Sequence, residues 1–127
     1  MREAGKVVAL TKARLMEAVE PGITTAELDR IAEKEIRDMG AVPSFKGLYG
    51  FPATICTSIN EEIVHGIPGK RVIRDGDLVK LDVGARVDGF IGDAAITVSV
   101  GKVIPEAQVL VKVTKQALDE GISTARE

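Results

Sequence analysis

Residues 78–98, LVKLDVGARVDGFIGDAAITV, alternate apolar and other residues on both sides of the turn Arg86-Val87-Asp88-Gly89. Such a run folds back on itself as an antiparallel hairpin, through a two-residue or a four-residue loop. With either loop, residues whose numbers sum to an odd value share a face, because side chains alternate along a strand and opposed residues point the same way. One face then carries Leu81, Val83, Ala85, Phe90, Ala94, Ile96 and Val98, and the other Lys80, Asp82, Gly84, Ile91, Asp93, Ala95 and Thr97. Asp82 and Asp93 therefore stand together among mostly small neighbours that leave room for something to approach.

Neighbouring carboxylates repel unless a proton or a cation lies between them. Hard divalent ions favour oxygen ligands, so two acids on rigid strands are a start on a metal site. They do not complete a coordination shell, and a solvated sheet face bearing two unrelated acids is the alternative. The one histidine of the chain, His65, lies upstream in VHGIP. Taken alone it reads as a turn residue before Gly66 and Ile67-Pro68.

Whether such a hairpin can be half buried depends on the rest of the chain. At 127 residues there is one domain's worth of sequence, long enough to bury a core without cross-links. The hydrophobic and charged fractions, 45% and 28%, are those of a globular chain. Aromatics are 3%, so Val, Ile, Leu and Ala must build the core. A net charge of −2 gives no basic footprint for nucleic acid. Cys56 is the single cysteine, which excludes an internal disulfide and fits a reducing compartment. No apolar run is long enough for a bilayer, and Lys6, Lys12 and Arg14 interrupt the amino terminus where a signal peptide needs an unbroken stretch, so the expected location is cytoplasmic, away from membranes.

Helical spacing of Ala4, Val7, Val8, Leu15, Ala18 and Val19 predicts a helix from about Arg2 to Val19, stopped by Pro21-Gly22. Thr24 and Glu27 form a capping box ahead of Leu28, Ile31, Ala32 and Met39, with Gly40 at the helix end. Both helices are amphipathic and are expected to cover one sheet. A loop through PSFKGLYGFP, a strand at ATICTSI, a turn at NEE, Val72-Ile73 and the turn Asp75-Gly76-Asp77 lead into the hairpin. A last helix is expected from about Pro105 to Thr124. The order ααβ…βββα is an α+β layer, an antiparallel sheet with amphipathic helices on one face. A shift of 103 positions aligns Glu3, Ala4, Val8, Thr11, Lys12, Leu15 and Glu17 with Glu106, Ala107, Val111, Thr114, Lys115, Leu118 and Glu120. A true repeat would make 1–127 one complete unit whose residues 105–127 open a second.

CTSINEEIVHGIP followed by DGDLVKLDVGARVDGFIGDAAIT resembles the amino-terminal half of type I methionine aminopeptidases, metallopeptidases of the pita-bread fold. The resemblance implies half of that fold, and an activity removing N-terminal methionine from peptides. By position, Asp82 resembles the family's bidentate metal ligand, Asp93 the ligand bridging two metals, and His65 the histidine that contacts the scissile amide and helps move its proton. Phe45, Phe51 and Cys56 fall where the methionine side chain binds, with plain core as the even alternative, and Tyr49 lies nearby. Implied cofactors are divalent ions (Co, Mn, Fe or Zn), two per assembled site. Implied partners are peptides beginning with Met. A full catalytic domain is about twice as long and draws a histidine and two glutamates from its second half. A homodimer or a complementing second half is therefore expected around the site. The alternatives are a non-catalytic peptide- or metal-binding module and a truncated or engineered half-domain.

Overall fold

The computed structural model describes residues 1–125, a four-stranded antiparallel sheet with two helices packed on one face. The elements are α1 (Arg2–Ala18), α2 (Thr25–Asp38), β1 (Val42–Pro43), a 3-10 turn (Leu48–Gly50), β2 (Ile55–Ile59), β3 (Leu78–Val87), β4 (Phe90–Ser99) and α3 (Pro105–Ser123).

The hairpin forms with the shorter loop. Asp88 and Gly89 take φ of 49° and 82°, the left-handed pair that a two-residue turn needs to match strand twist. Val87 then faces Phe90, Leu81 faces Ile96 and Asp82 faces Ala95, so the two faces sort as the alternation requires. β3 is the centre of the sheet. β4 runs along its whole length on one edge, while β2 and the short β1 lie end to end on the other. Val79, Leu81, Val83 and Ala85 are fully buried, beneath α1, and α2 packs on α1, β1 and β2.

α1 buries Ala4, Val7, Val8, Thr11 and Leu15 on the hairpin. Its backbone comes so close to β4 that a Cβ on Gly92 would sit 2.7 Å from the Ala4 carbonyl carbon. Glycine at 92 is thus what seats the helix. α2 starts as its sequence dictates: Thr24 Oγ1 accepts from the Glu27 amide at 3.2 Å and Glu27 Oε2 accepts from the Thr24 amide at 2.8 Å. It buries Leu28, Ala32 and Ile36, and Gly40 at φ 73° ends it.

Three local features are not given by the expected element order. Val72-Ile73 does not join the sheet; Val72 makes a single antiparallel bridge to Thr24, because the α2 amino terminus binds the 69–71 segment through the Thr25 and Ala26 amides. The loop after Ala41 contains a strand, β1, which Pro43 confines to two residues at a sheet edge. α3 does not lie on the sheet face: it has no buried residue, and Val109, Leu110, Val113, Leu118 and Ile122 are exposed. It ends at Ser123, and residues 126–127 of the expected 105–127 segment lie outside the described residues.

Asp77 ties the connection before β3. Its carboxylate accepts from Asn60 Nδ2 at 2.8 Å, from the Arg74 amide at 2.9 Å and from Arg71 at 3.1 Å. Burial alone would raise its pKa, but the Arg74 amide, Asn60 and the two arginine charges outweigh it and hold the group below the usual carboxylate value. The folded value lies below the unfolded one, so this stabilisation is complete above the ordinary carboxylate range and is lost as pH falls through the folded value. Asp77→Asn is expected to cost about 1–3 kcal/mol at neutral pH and to flatten the acid limb of stability against pH in urea titrations. An unaltered acid limb would contradict this role.

Candidate metal centre

The face of β3 turned away from the helices carries Lys80, Asp82 and Gly84. Asp93 pairs with Gly84 and Asp82 with Ala95, so the two acids are diagonal neighbours on that face. On the other edge Asp82 is opposed by Cys56 of β2. Two acids and a thiol thus share one patch because strand register places them there. Among the described residues neither carboxylate has a lysine, arginine or histidine nitrogen within salt-bridge distance, whereas other acids such as Glu33 and Asp119 do. Burial, and after it the Asp93 carboxylate, hold the Asp82 carboxyl above its usual range against the opposing pull of His65 and the Val83 amide. The Cys56 thiol is pushed up to about 11 by burial first and then by Asp82, Asp93 and Asp29. A thiol so held is neutral and serves as an apolar wall.

A groove of about 490 Å³ opens above the acids, and its lining brings together Phe45, Phe51, Cys56, His65, Asp82 and Asp93, with Leu48, Tyr49, Pro52 and Ile67 also at its walls. The acids form the floor. Phe45 lies over the sheet because residue 84 has no side chain: a Cβ there would be 2.5 Å from Phe45 Cε1 and 2.2 Å from Ser44 Oγ. The space expected at Gly84 is therefore taken by the protein's own ring. Tyr49 is fully exposed at the groove mouth, in a tight loop where it and Gly47 and Gly50 all have positive φ. Lys46 fastens this loop to Glu33 of α2 at 2.8 Å.

His65 is exposed at another wall, at φ 59°, a region a non-glycine residue occupies only when its surroundings hold it there. Gly66 supplies the hold: its carbonyl accepts from the Thr57 amide at 2.9 Å and its amide donates to Ser58 Oγ at 3.0 Å. A Cβ on Gly66 would stand 2.1 Å from the Thr57 carbonyl oxygen.

Sequence reasoning missed Asp29, whose Oδ1 accepts the Thr54 and Ile55 amides at 2.8 and 3.0 Å and so fixes where β2 begins. It also missed Leu48, Pro52 and Ile67. Asp29 sits on the polar flank of a helix, and nothing local in the sequence marks it.

The donor set is chemically suited to a hard divalent ion: two carboxylates, mutually repelling, with no cationic side chain between them among the described residues. It is also incomplete. Among the described residues no group of three or more His, Cys, Asp or Glu side chains is placed to hold a metal ion.

The profile of metallopeptidase family M24 matches residues 1–127. The chain belongs to this family. It is similar to methionine aminopeptidase 1 of Bacillus subtilis (strain 168), 50% identical over 126 residues, with 99% of this chain and 51% of that protein covered. The methionine aminopeptidase of Clostridium acetobutylicum is 52% identical over 126 residues, covering 98% and 50%. The solved methionine aminopeptidase of Thermotoga maritima superposes with a TM-score of 0.97 at 36% identity, over 99% of this chain and 51% of that one. The chain thus spans about half the length of the relatives it matches. Its α+β architecture is half of the pita-bread fold that this family member shares with them. Among the described residues no helix is long and apolar enough to cross a membrane.

The Gly84–Phe45 contact gives a direct check. Gly84→Ala is expected to drive the Phe45 ring off the sheet at a cost of about 1–3 kcal/mol. Proton NMR reads this as loss of the ring's contacts to residue 84. A ring that keeps its place would refute the stated packing.

Proposed function

We propose that this chain forms one half of a metal-dependent aminopeptidase that removes methionine from peptide N-termini. The observation that carries this reading is the pair Asp82 and Asp93, without a cationic side chain paired to it among the described residues, at the floor of a groove walled by Phe45, Phe51 and Cys56 and bordered by His65. Asp82 and Asp93 would hold divalent ions (Co, Mn, Fe or Zn), which supply Lewis-acid polarisation of the scissile carbonyl. The apolar walls would take an unbranched side chain such as methionine and exclude water around it. The exposed His65 imidazole is on the groove side and can donate to, or accept a proton from, the amide being cleaved.

Two carboxylates do not complete such a centre, so further ligands must come from a complementing second half or from a second copy of the chain. In an isologous pair Asp82 and Asp93 of each copy would face a shared site, and four carboxylates would balance two divalent ions in charge. α3 supports the idea that a second unit follows the repeat. The α1 residues buried on the hairpin, Ala4, Val7, Val8, Thr11 and Leu15, correspond at the 103-position shift to Ala107, Leu110, Val111, Thr114 and Leu118, none of them buried. α3 thus presents the kind of face that α1 covers with a sheet. The incomplete ligand set equally favours a second reading, a binding module that retains peptide or metal without hydrolysis.

Release of methionine from a Met-Ala-Ser peptide, with Mn²⁺ or Co²⁺ added, separates the two. Turnover that needs the metal and is abolished by Asp93→Asn is expected of the enzyme, whereas none above that control leaves the binding module. For the paired arrangement, light scattering is expected to give twice the chain mass when metal is present. A monomer whether or not metal is added would sink it.

A further inference from the structure

Lys80 stands on the groove face of β3, two residues before Asp82. An ammonium there could pair with the acids. It is instead committed elsewhere: Lys80 Nζ donates to the main-chain carbonyls of Asn60 at 2.6 Å and Glu62 at 2.7 Å. An ammonium offers three donors and no acceptor, so two carbonyls converging on it form a cation seat, with bonds stronger than those between neutral groups.

These carbonyls belong to the turn that leads to His65. Asn60 has other ties to the sheet, since its Oδ1 accepts the Leu78 amide at 2.8 Å and its amide donates to the Leu78 carbonyl at 3.0 Å. Glu62 braces the turn itself by accepting the Ile59 amide at 2.6 Å. The Glu62 carbonyl, nearest to His65, is fastened to β3 by Lys80. Beyond His65 the chain is fastened again at Gly66. Between the two anchors Ile63, Val64 and His65 are all exposed, so no core contact holds them. Lys80, His65 and Asp82 also border one small cleft of about 120 Å³ beside the main groove.

We propose that Lys80 is a positioning residue whose ammonium acts as a built-in cation, clamping the 60–62 turn so that His65 is held over the Asp82–Asp93 pair. The same commitment withholds the charge from those carboxylates. This rests on the reading of His65 as a site residue, but the test requires no turnover, so an inactive chain leaves it standing.

The chain has one histidine, so its ring protons give one assignable set of NMR signals. In Lys80→Met these signals are expected to move by more than their linewidth. Amide exchange at residues 63–66 is expected to quicken by on the order of tenfold or more, while exchange in β3 and β4 is unchanged. Lys80→Arg, which can still donate to two carbonyls, is expected to keep the native signals. Ammonium chloride is expected to restore them in Lys80→Met, and tetramethylammonium chloride at equal ionic strength, which has no N–H to donate, is not. Native-like His65 signals and exchange in Lys80→Met would overturn the proposal, as would restoration by both salts or by neither. If Lys80→Met does not fold, Lys80→Leu, which likewise has no N–H to donate, takes its place in the same comparison.

Discussion

Everything among the described residues is referred to β3, the one strand there that is paired on both edges. Ten residues of backbone there are fixed by β4 on one side and by β2 and β1 on the other. Because the side-chain period of a strand is two, such a strand must serve two surfaces at once. Its odd-numbered positions from 79 to 85 close the core, and the intervening Lys80, Asp82 and Gly84 lie on the opposite face, where Asp82 forms part of the groove floor. A one-residue slip of this strand would send Asp82 into the hydrocarbon and Leu81 into water. The cost of burying a carboxylate without a partner makes the register of the site as secure as the core itself.

The parts that were legible in the sequence are those set by short-range chemistry. The hairpin faces followed from alternation about Asp88-Gly89, the start of α2 from Thr24 and Glu27, and its end from Gly40. The convergence of Phe45, Phe51, Cys56 and His65 on the acids came from family resemblance and not from spacing, since their segments are brought together only by tertiary packing. What escaped notice acts through single long-range contacts. Asp29 holds the start of β2 across 25 residues, and Lys80 reaches a turn 18 to 20 residues away. Neither leaves a periodic trace, because a surface lysine and a helix-flank aspartate look the same whether they bond water or backbone. Val72 stays outside the sheet for a related reason: the α2 amino terminus binds the segment next to it. α3 was legible as a helix and illegible in its placement, since amphipathicity says that a face wants cover without saying what covers it.

Glycines mark where the fold brings backbone or ring into contact that any side chain would forbid, on both faces of the sheet. Gly84 admits Phe45, Gly66 lets the His65 loop lie on β2, and Gly92 admits α1. A wall, a loop and a helix of this family member are thus located by the absence of three Cβ atoms. Their exactness is steric and does not depend on charge or pH. The acids, by contrast, supply the electrostatic demand for a cation but no geometry of their own.

Gly92 and Asp93 are consecutive residues on opposite sides of one strand. The first bears the weight of α1, and the second stands in the groove. Through that single peptide unit, the seating of a helix on the far side of the sheet fixes the height of a carboxylate on the near side. Core optimisation and site geometry therefore share a lever, and selection for a tighter core at Ala4 or residue 92 would be answered, one bond away, in how the acid pair meets its ligand.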